Sequence, residues 1–166
     1  MASPDERLME WLRAAHGMEE QAEQLLSSTA HRLKDYAALR QKFIRHLEDT
    51  RRHSVAVRGC IERRGGSISF IKDLVGKTTA VAQGLSGLFV SNEVVRALVA
   101  TYTCEQMAIA SYQCLIAAAD QVADDETKQA CEAILAEKKA MAEWVAQQLA
   151  PTVDEYLSRQ QPKAAA

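Results

Sequence analysis

Apolar residues recur at three- and four-residue spacing through four long stretches of this chain, a period that belongs to helices and leaves little room for another architecture. In the first stretch Leu8, Leu12, Ala15, Glu19, Ala22 and Leu26 line one side, with Trp11, Met18 and Leu25 widening the stripe. The second carries Leu33, Tyr36, Leu39, Phe43, Leu47, Thr50, Val57 and Ile61, with Ile44, Glu48, Arg51 and Val55 as the adjacent row. Val95, Leu98, Tyr102, Glu105, Ile109, Tyr112 and Ile116 form the third stripe. In the fourth, Cys131, Ile134, Met141, Trp144, Val145 and Leu149 face inward with Glu137 and Lys138 between them. Strand-like alternation of β-branched residues is hard to find, and the 7 Gly and 3 Pro are few for 166 residues. An all-α chain follows.

Ser3 reads as a helix cap, with Pro4 at the first helical position and Asp5 and Glu6 in the first turn. Ser27-Ser28-Thr29 interrupts the first pattern and reads as a turn or a new cap, so the second helix is expected from about Thr29 or Asp35 to Arg64. Gly65-Gly66 supplies a left-handed stop. From Ser67 to Val90 the chain is apolar but broken by Gly76, Gly84 and Gly87, which predicts one or two short helices crossing the bundle. Ser91, helped by Glu93, is the expected cap of the third long helix. The polar turn Ala123–Thr127 leads to the fourth helix, which Pro151 is expected to bend or end, leaving a short coda through Leu157 and a frayed tail. Two helical hairpins joined by one long connector make a four-helix bundle with a single crossover. The 48% hydrophobic content suffices for one core, so residues 1–166 are expected to form a single helical domain, its helical part spanning about 5–150.

The net charge of −2 gives no basic field to gather nucleic acid. Arg51, Arg52, Arg58, Arg63 and Arg64 read as a solvated face without the aromatic residues that stack on bases. Gly76-Lys77-Thr78 lacks the upstream glycine of a phosphate loop, which argues against nucleotide binding. The charged start lacks the apolar core of a signal peptide, and no apolar run is long enough for a membrane span, so the expectation is a cytoplasmic protein with no membrane partner. Cys60, Cys104, Cys114 and Cys131 form no C-x-x-C pair and read as small thiols in a reducing compartment.

Each long helix places one glutamate in or beside its apolar stripe: Glu19, Glu48, Glu105 and Glu137. Burying an unpaired carboxylate is costly, so their convergence demands metal ions, protonation or cationic neighbours. Di-iron bundles use one Glu from each of two helices and a Glu-x-x-His from each of the other two. Here the position three after Glu48 is Arg51 and that after Glu137 is Ala140. His46 and His53 lie two before and five after Glu48, offsets that point away from it, and with His16 and His31 they read as surface or boundary imidazoles. Arg51 and Lys138 stand close to the inward rows, where each can form charge-assisted hydrogen bonds with a glutamate of another helix. Two readings stay open: metal held by the four glutamates, or ion pairs from Arg51 and Lys138 in its place.

The segments Gly17–Ala22 (GMEEQA), His46–Thr50 (HLEDT), Ile109–Ala119 and Ile134–Trp144 (ILAEKKAMAEW) resemble the YciE/YciF-type ferritin-like family of bacterial proteins. The resemblance covers roughly Leu8 to Leu149. It implies a ferritin-like four-helix bundle, generally a dimer, related to di-iron carboxylate proteins and associated with stress responses, with no well-defined activity. The family's acidic positions map onto Glu19, Glu48, Glu105 and Glu137. Departures at Arg51, Ala108, Lys138 and Lys139 remove ligands and add positive charge. The function expected is a stress-associated protein with a degenerate carboxylate site holding iron or manganese. The alternative is a metal-free, non-catalytic dimeric scaffold or partner-binding protein. A homodimer contact is expected of Ile68, Phe70, Leu85, Leu88 and Phe89, which could equally cover the end of the monomer core.

Overall fold

The computed structural model describes residues 1–68 and 92–160. Among these residues the chain forms four long helices and no strand: α1, Pro4–Arg32; α2, Ala37–Arg63; α3, Glu93–Gln121; α4, Asp125–Gln160. The expected short helices of the connector, its G-K-T and the contact residues Phe70, Leu85, Leu88 and Phe89 lie outside the described residues, as do Ser91 and the tail beyond 160.

Local chemistry accounts for the helix ends. Ser3 and Glu6 form a reciprocal capping box, Glu6 N donating to Ser3 Oγ at 3.2 Å and Ser3 N to Glu6 Oε2 at 2.7 Å. α2 closes with a Schellman motif: Gly66 N donates to Ile61 O at 3.0 Å and Gly65 N to Glu62 O at 2.9 Å, with Gly65 left-handed at φ 75°. A side chain on Gly66 would come within 2.8 Å of Met9 Sδ, so the turn also sits tight against α1. Asn92 caps α3, its Oδ1 accepting from Val94 N at 2.9 Å and Val95 N at 3.2 Å.

Two expected breaks are absent. α1 continues through Ser27-Ser28-Thr29, because Leu26, Thr29 and Ala30 are buried and Ser28 Oγ donates back to Leu25 O at 3.0 Å. Core burial outweighs the weak helix propensity of that triplet. α4 likewise runs through Pro151 to Gln160. Its last turn is anchored on the α1–α2 turn, with the Arg159 guanidinium 4.5 Å from the Tyr36 ring centre and donating to Asp35 O at 3.2 Å.

Ion pairs at the two ends define the arrangement. Arg64 bridges Asp5 and Asp124, both at 2.6 Å, which places the start of α1, the end of α2 and the α3–α4 turn together. Arg32 and Glu93 pair at 3.0 Å at the other end. α1 therefore runs antiparallel to α2 and α3, and α4 antiparallel to both of its neighbours. α1 packs on α2 and α3, and α4 on α3 and α2, leaving α1/α4 and α2/α3 as diagonals. The α2–α3 connection starts at one end of the bundle and re-enters at the other, as a ferritin-like crossover requires.

The apolar core comes in two blocks. Leu8, Leu12, Val57, Ile61, Tyr112, Leu115 and Ile134 fill one half, and Leu26, Phe43, Leu98, Met141 and Val145 the other. Buried polar side chains from all four helices lie between them in sequence: Glu19, Thr50 and His53, Thr101 and Glu105, and Lys138. This mid-bundle layer is the candidate site.

Candidate functional site

Each buried polar residue sits on its helix's apolar stripe. Glu19 follows Leu12 and Ala15, and Glu105 lies between Leu98 and Ala108. On α2, His46, Thr50, His53 and Val57 repeat at four, three and four residues; on α4, Cys131, Ile134, Lys138, Met141 and Val145 do the same from three. The hydrophobic packing of those stripes aims the polar groups inward.

Lys138 is the hub. It is 1% exposed, and its Nζ donates to Glu19 Oε2 at 2.8 Å, Glu19 being 0% exposed. Tyr112 donates its hydroxyl to the other Glu19 oxygen at 2.7 Å. Burial, followed by the charge of Glu19, holds the Tyr112 phenol well above its ordinary value, so it stays a donor. Both Glu19 oxygens are thus engaged by groups on diagonal and adjacent helices.

Glu105 faces His46, whose Nε2 lies 2.8 Å from Glu105 Oε1. Burial pushes the Glu105 carboxyl up, but the His46 hydrogen bond and the Lys138 charge together hold it below its ordinary value. His53 Nε2 lies 2.9 Å from Glu137 Oε2 and its Nδ1 3.9 Å from Glu19 Oε2. Burial, then the neighbouring Lys138, lowers His53 despite those two carboxylates, so the imidazole is neutral. Its bond to Glu137 assigns the proton to Nε2 and leaves the Nδ1 lone pair facing the core. His16, on the first helix, is fully buried, touches Ser54 Oγ at 3.3 Å and is likewise lowered, chiefly by burial.

Of the four glutamates expected to converge, the core contains Glu19 and Glu105. Glu48 is exposed, because its row, with Ile44 and Val55 also exposed, is the solvent side of α2. Glu137 lies at the rim with its side chain 46% exposed, held by His53 and by Arg52 at 3.3 Å. Arg51 does not enter the core either: its guanidinium, 55% exposed, donates to Glu23 on α1 at 2.7 Å. Lys138 makes the buried pair, with Glu19. His16, His46 and His53, expected from the sequence at the surface or boundary, are instead buried, His46 and His53 on the Leu39–Phe43–Leu47–Thr50–Val57 stripe. Around the helix from Glu48, His46 stands about 200° away and His53 about 140°.

The inward i, i+3 pairs of α2 and α4 are therefore Thr50-x-x-His53 and Lys138-x-x-Met141, all four buried. These are the positions where a di-metal bundle carries Glu-x-x-His. The donor set does not fit such a centre: Glu19 is saturated by a lysine and a tyrosine, and among the described residues no three His, Cys, Asp or Glu side chains are grouped to hold a metal ion. What this arrangement does chemically is neutralise buried charge from within the chain.

A four-helix antiparallel bundle with one crossover, and with a buried carboxylate on each of two adjacent helices, defines the ferritin-like class. Within it, the chain belongs to the family described as domain of unknown function DUF892, whose model matches residues 3–158. A solved structure from Xanthomonas campestris pv. campestris is similar over 96% of this chain and 100% of that one, at 31% identity and a TM-score of 0.81. The Escherichia coli stress protein YciF superposes over 93% and 99%, at 20% identity and a TM-score of 0.74. YcfI of Rhodopseudomonas palustris, named as a candidate structural protein, covers 87% and 94% at 20% identity with a TM-score of 0.68. The two at 20% identity carry the fold alone. Among the described residues no helix is long and apolar enough to cross a membrane.

Proposed function

We propose that this protein is a non-catalytic, ferritin-like scaffold whose mid-bundle centre is closed by an internal ion-pair layer in place of a metal. The observation that carries the reading is the buried Lys138–Glu19 pair with Tyr112 on the second carboxylate oxygen. A lysine donates and cannot accept at neutral pH, so where a metalloprotein needs a ligand this chain has a competing cation. The stress association is carried from the similarity to a protein named as a stress protein, and the structural role from the name of another. A homodimer in the cytoplasm is part of the same proposal. Exposed Trp11 and Met107, which flank an apolar groove between α1 and α3, supply the apolar surface that self-association needs. Sedimentation of the purified chain tests the dimer, and a monomer at all concentrations contradicts it.

Metal analysis of protein purified from an iron- and manganese-replete culture tests the central part. The scaffold reading expects far less than one ion per chain. Stoichiometric iron or manganese that survives dialysis would restore the alternative, a working carboxylate metal site.

A further inference from the structure

We propose that Cys60 of α2 and Cys131 of α4 form a reversible disulfide under hydrogen peroxide, a redox staple that ties the two helical hairpins together across the core. Contacts between α2 and α4 fix the register of the two helices. His53 Nε2 lies 2.9 Å from Glu137 Oε2, and Arg63 Nη2 donates to Thr127 Oγ1 at 2.6 Å. Between those two contacts α2 advances ten residues and α4 goes back ten. Cys60, seven residues beyond His53, therefore falls level with position 130, one residue or about 1.5 Å of rise from Cys131. Both thiols are buried, at 6% and 1% exposure, in the same block of the core. Direction agrees with level: Cys60 shares a hydrogen bond with the Thr127 side chain, and Thr127 stands one turn before Cys131 on the same buried face of α4. Ala56 and Ala130 pack against that block beside the two cysteines, and neither has the bulk to hold the helices apart.

The other two cysteines do not compete. Cys104 and Cys114 share α3, ten residues or about 15 Å apart, too far for a bond, and Cys114 lines the groove between α1 and α3. Burial raises the Cys60 thiol, opposed by its Thr127 hydrogen bond and by Arg63, whereas burial with nothing opposing it pushes Cys131 up to about 12. Cys60 is therefore the first to attack. Its sulfur takes one peroxide oxygen, the O–O bond breaks, and a sulfenic acid and one water result. The Cys131 sulfur then displaces that oxygen from Cys60 Sγ, which forms the S–S bond and releases the second water. Two thiols lose two electrons and two protons, and hydrogen peroxide is reduced to two waters. Because both thiols are held protonated in the closed bundle, the bond forms when this end of the bundle opens. Once made, it closes a long loop through α3 and resists further opening.

To test this, the full chain is warmed in steps toward its melting transition with hydrogen peroxide, quenched with iodoacetamide and followed by mass spectrometry. Each chain is expected to lose two hydrogens, with a peptide linking Cys60 to Cys131, and dithiothreitol should restore both thiols. The linked form should melt about 5–10 °C higher than the reduced form. Cys60→Ser and Cys131→Ser should each abolish the linked peptide and the gain, whereas Cys114→Ser should keep both. Cys60→Ala and Cys131→Ala serve where a serine variant does not fold. Sulfinic acid at these thiols without a linked peptide, a bond to Cys104 or Cys114 instead, or a linked form that melts no higher overturns the proposal. Thiols left free once circular dichroism shows the bundle opening do the same. None of these outcomes bears on the Lys138–Glu19 pair, so the scaffold reading is tested separately.

Discussion

Glu19 and Arg51 illustrate how differently two charged residues on facing helices can matter. Glu19 is enclosed, with Lys138 and Tyr112 as its partners, so removing either partner leaves a buried carboxylate short of compensation. Lys138→Ala is expected to cost about 3–5 kcal/mol of stability, and Tyr112→Phe about 1–3 kcal/mol. Arg51→Ala loses an exposed pair with Glu23 and is expected to change stability by about 0.5 kcal/mol or less. Urea denaturation of the three variants measures the ordering; equal losses for Arg51→Ala and Lys138→Ala would contradict it. Cysteine reactivity follows the same division. Cys114 is exposed, whereas Cys60 and Cys131 are buried and burial pushes the Cys131 thiol up to about 12. A thiol reagent at neutral pH should therefore reach Cys131 only after unfolding. At this scale the sequence was partly readable. Glu19 and Glu105 stand out as charges within apolar stripes, but which α2 and α4 residues join them depended on helix phase. A one-residue difference separates Glu137 at the rim from Lys138 in the core.

Among the elements, the helix ends carry their causes in the sequence and the helix interiors less so. The Ser3 cap of α1 and the glycine stop of α2 could be read directly, because side-chain and backbone hydrogen bonds close locally. Ser27-Ser28-Thr29 and Pro151 looked like breaks and are not, because burial at Leu26 and Ala30 and the docking of Arg159 on Tyr36 are long-range effects that local propensity does not contain. The α3–α4 turn has an unused margin. Ala123 adopts φ 55° in a Schellman-type closure, Asp124 N donating to Ala119 O at 2.9 Å and Ala123 N to Asp120 O at 3.1 Å. A non-glycine residue pays a steric penalty there, so Ala123→Gly is expected to raise stability by about 0.5–1 kcal/mol after the entropy of glycine is counted. A thermal or denaturant midpoint that falls would show that the turn is strained for another reason.

For the molecule as a whole, the buried histidines and Glu105 set a direction for acid sensitivity. His16 and His53 are held below the ordinary imidazole value of 6.5, by burial first and by Arg58 and Lys138 respectively among the charges that follow. The unfolded chain then takes up protons that the native chain refuses, so stability falls as pH drops through 6.5. Glu105, held below 4.5, contributes stabilisation that is present above that value and is lost as pH falls through its lower native value. Denaturant midpoints measured from pH 8 downward should decline in both windows; a flat profile to pH 5 would contradict neutral buried imidazoles. The helical class, the two hairpins and the crossover were legible because a 3.6-residue period and short turns are sequence properties. The layered core, apolar on both sides of an ion-pair plane, was not, since it depends on the register of four helices against one another. The central claim is that Lys138, and not a metal, neutralises that plane. A crystal structure of protein grown with excess iron and manganese, with diffraction collected at both absorption edges, tests it most directly. The account predicts Lys138 Nζ within hydrogen-bond distance of Glu19 and no anomalous peak among Glu19, Glu105 and His53; a peak there with Lys138 turned away would contradict it.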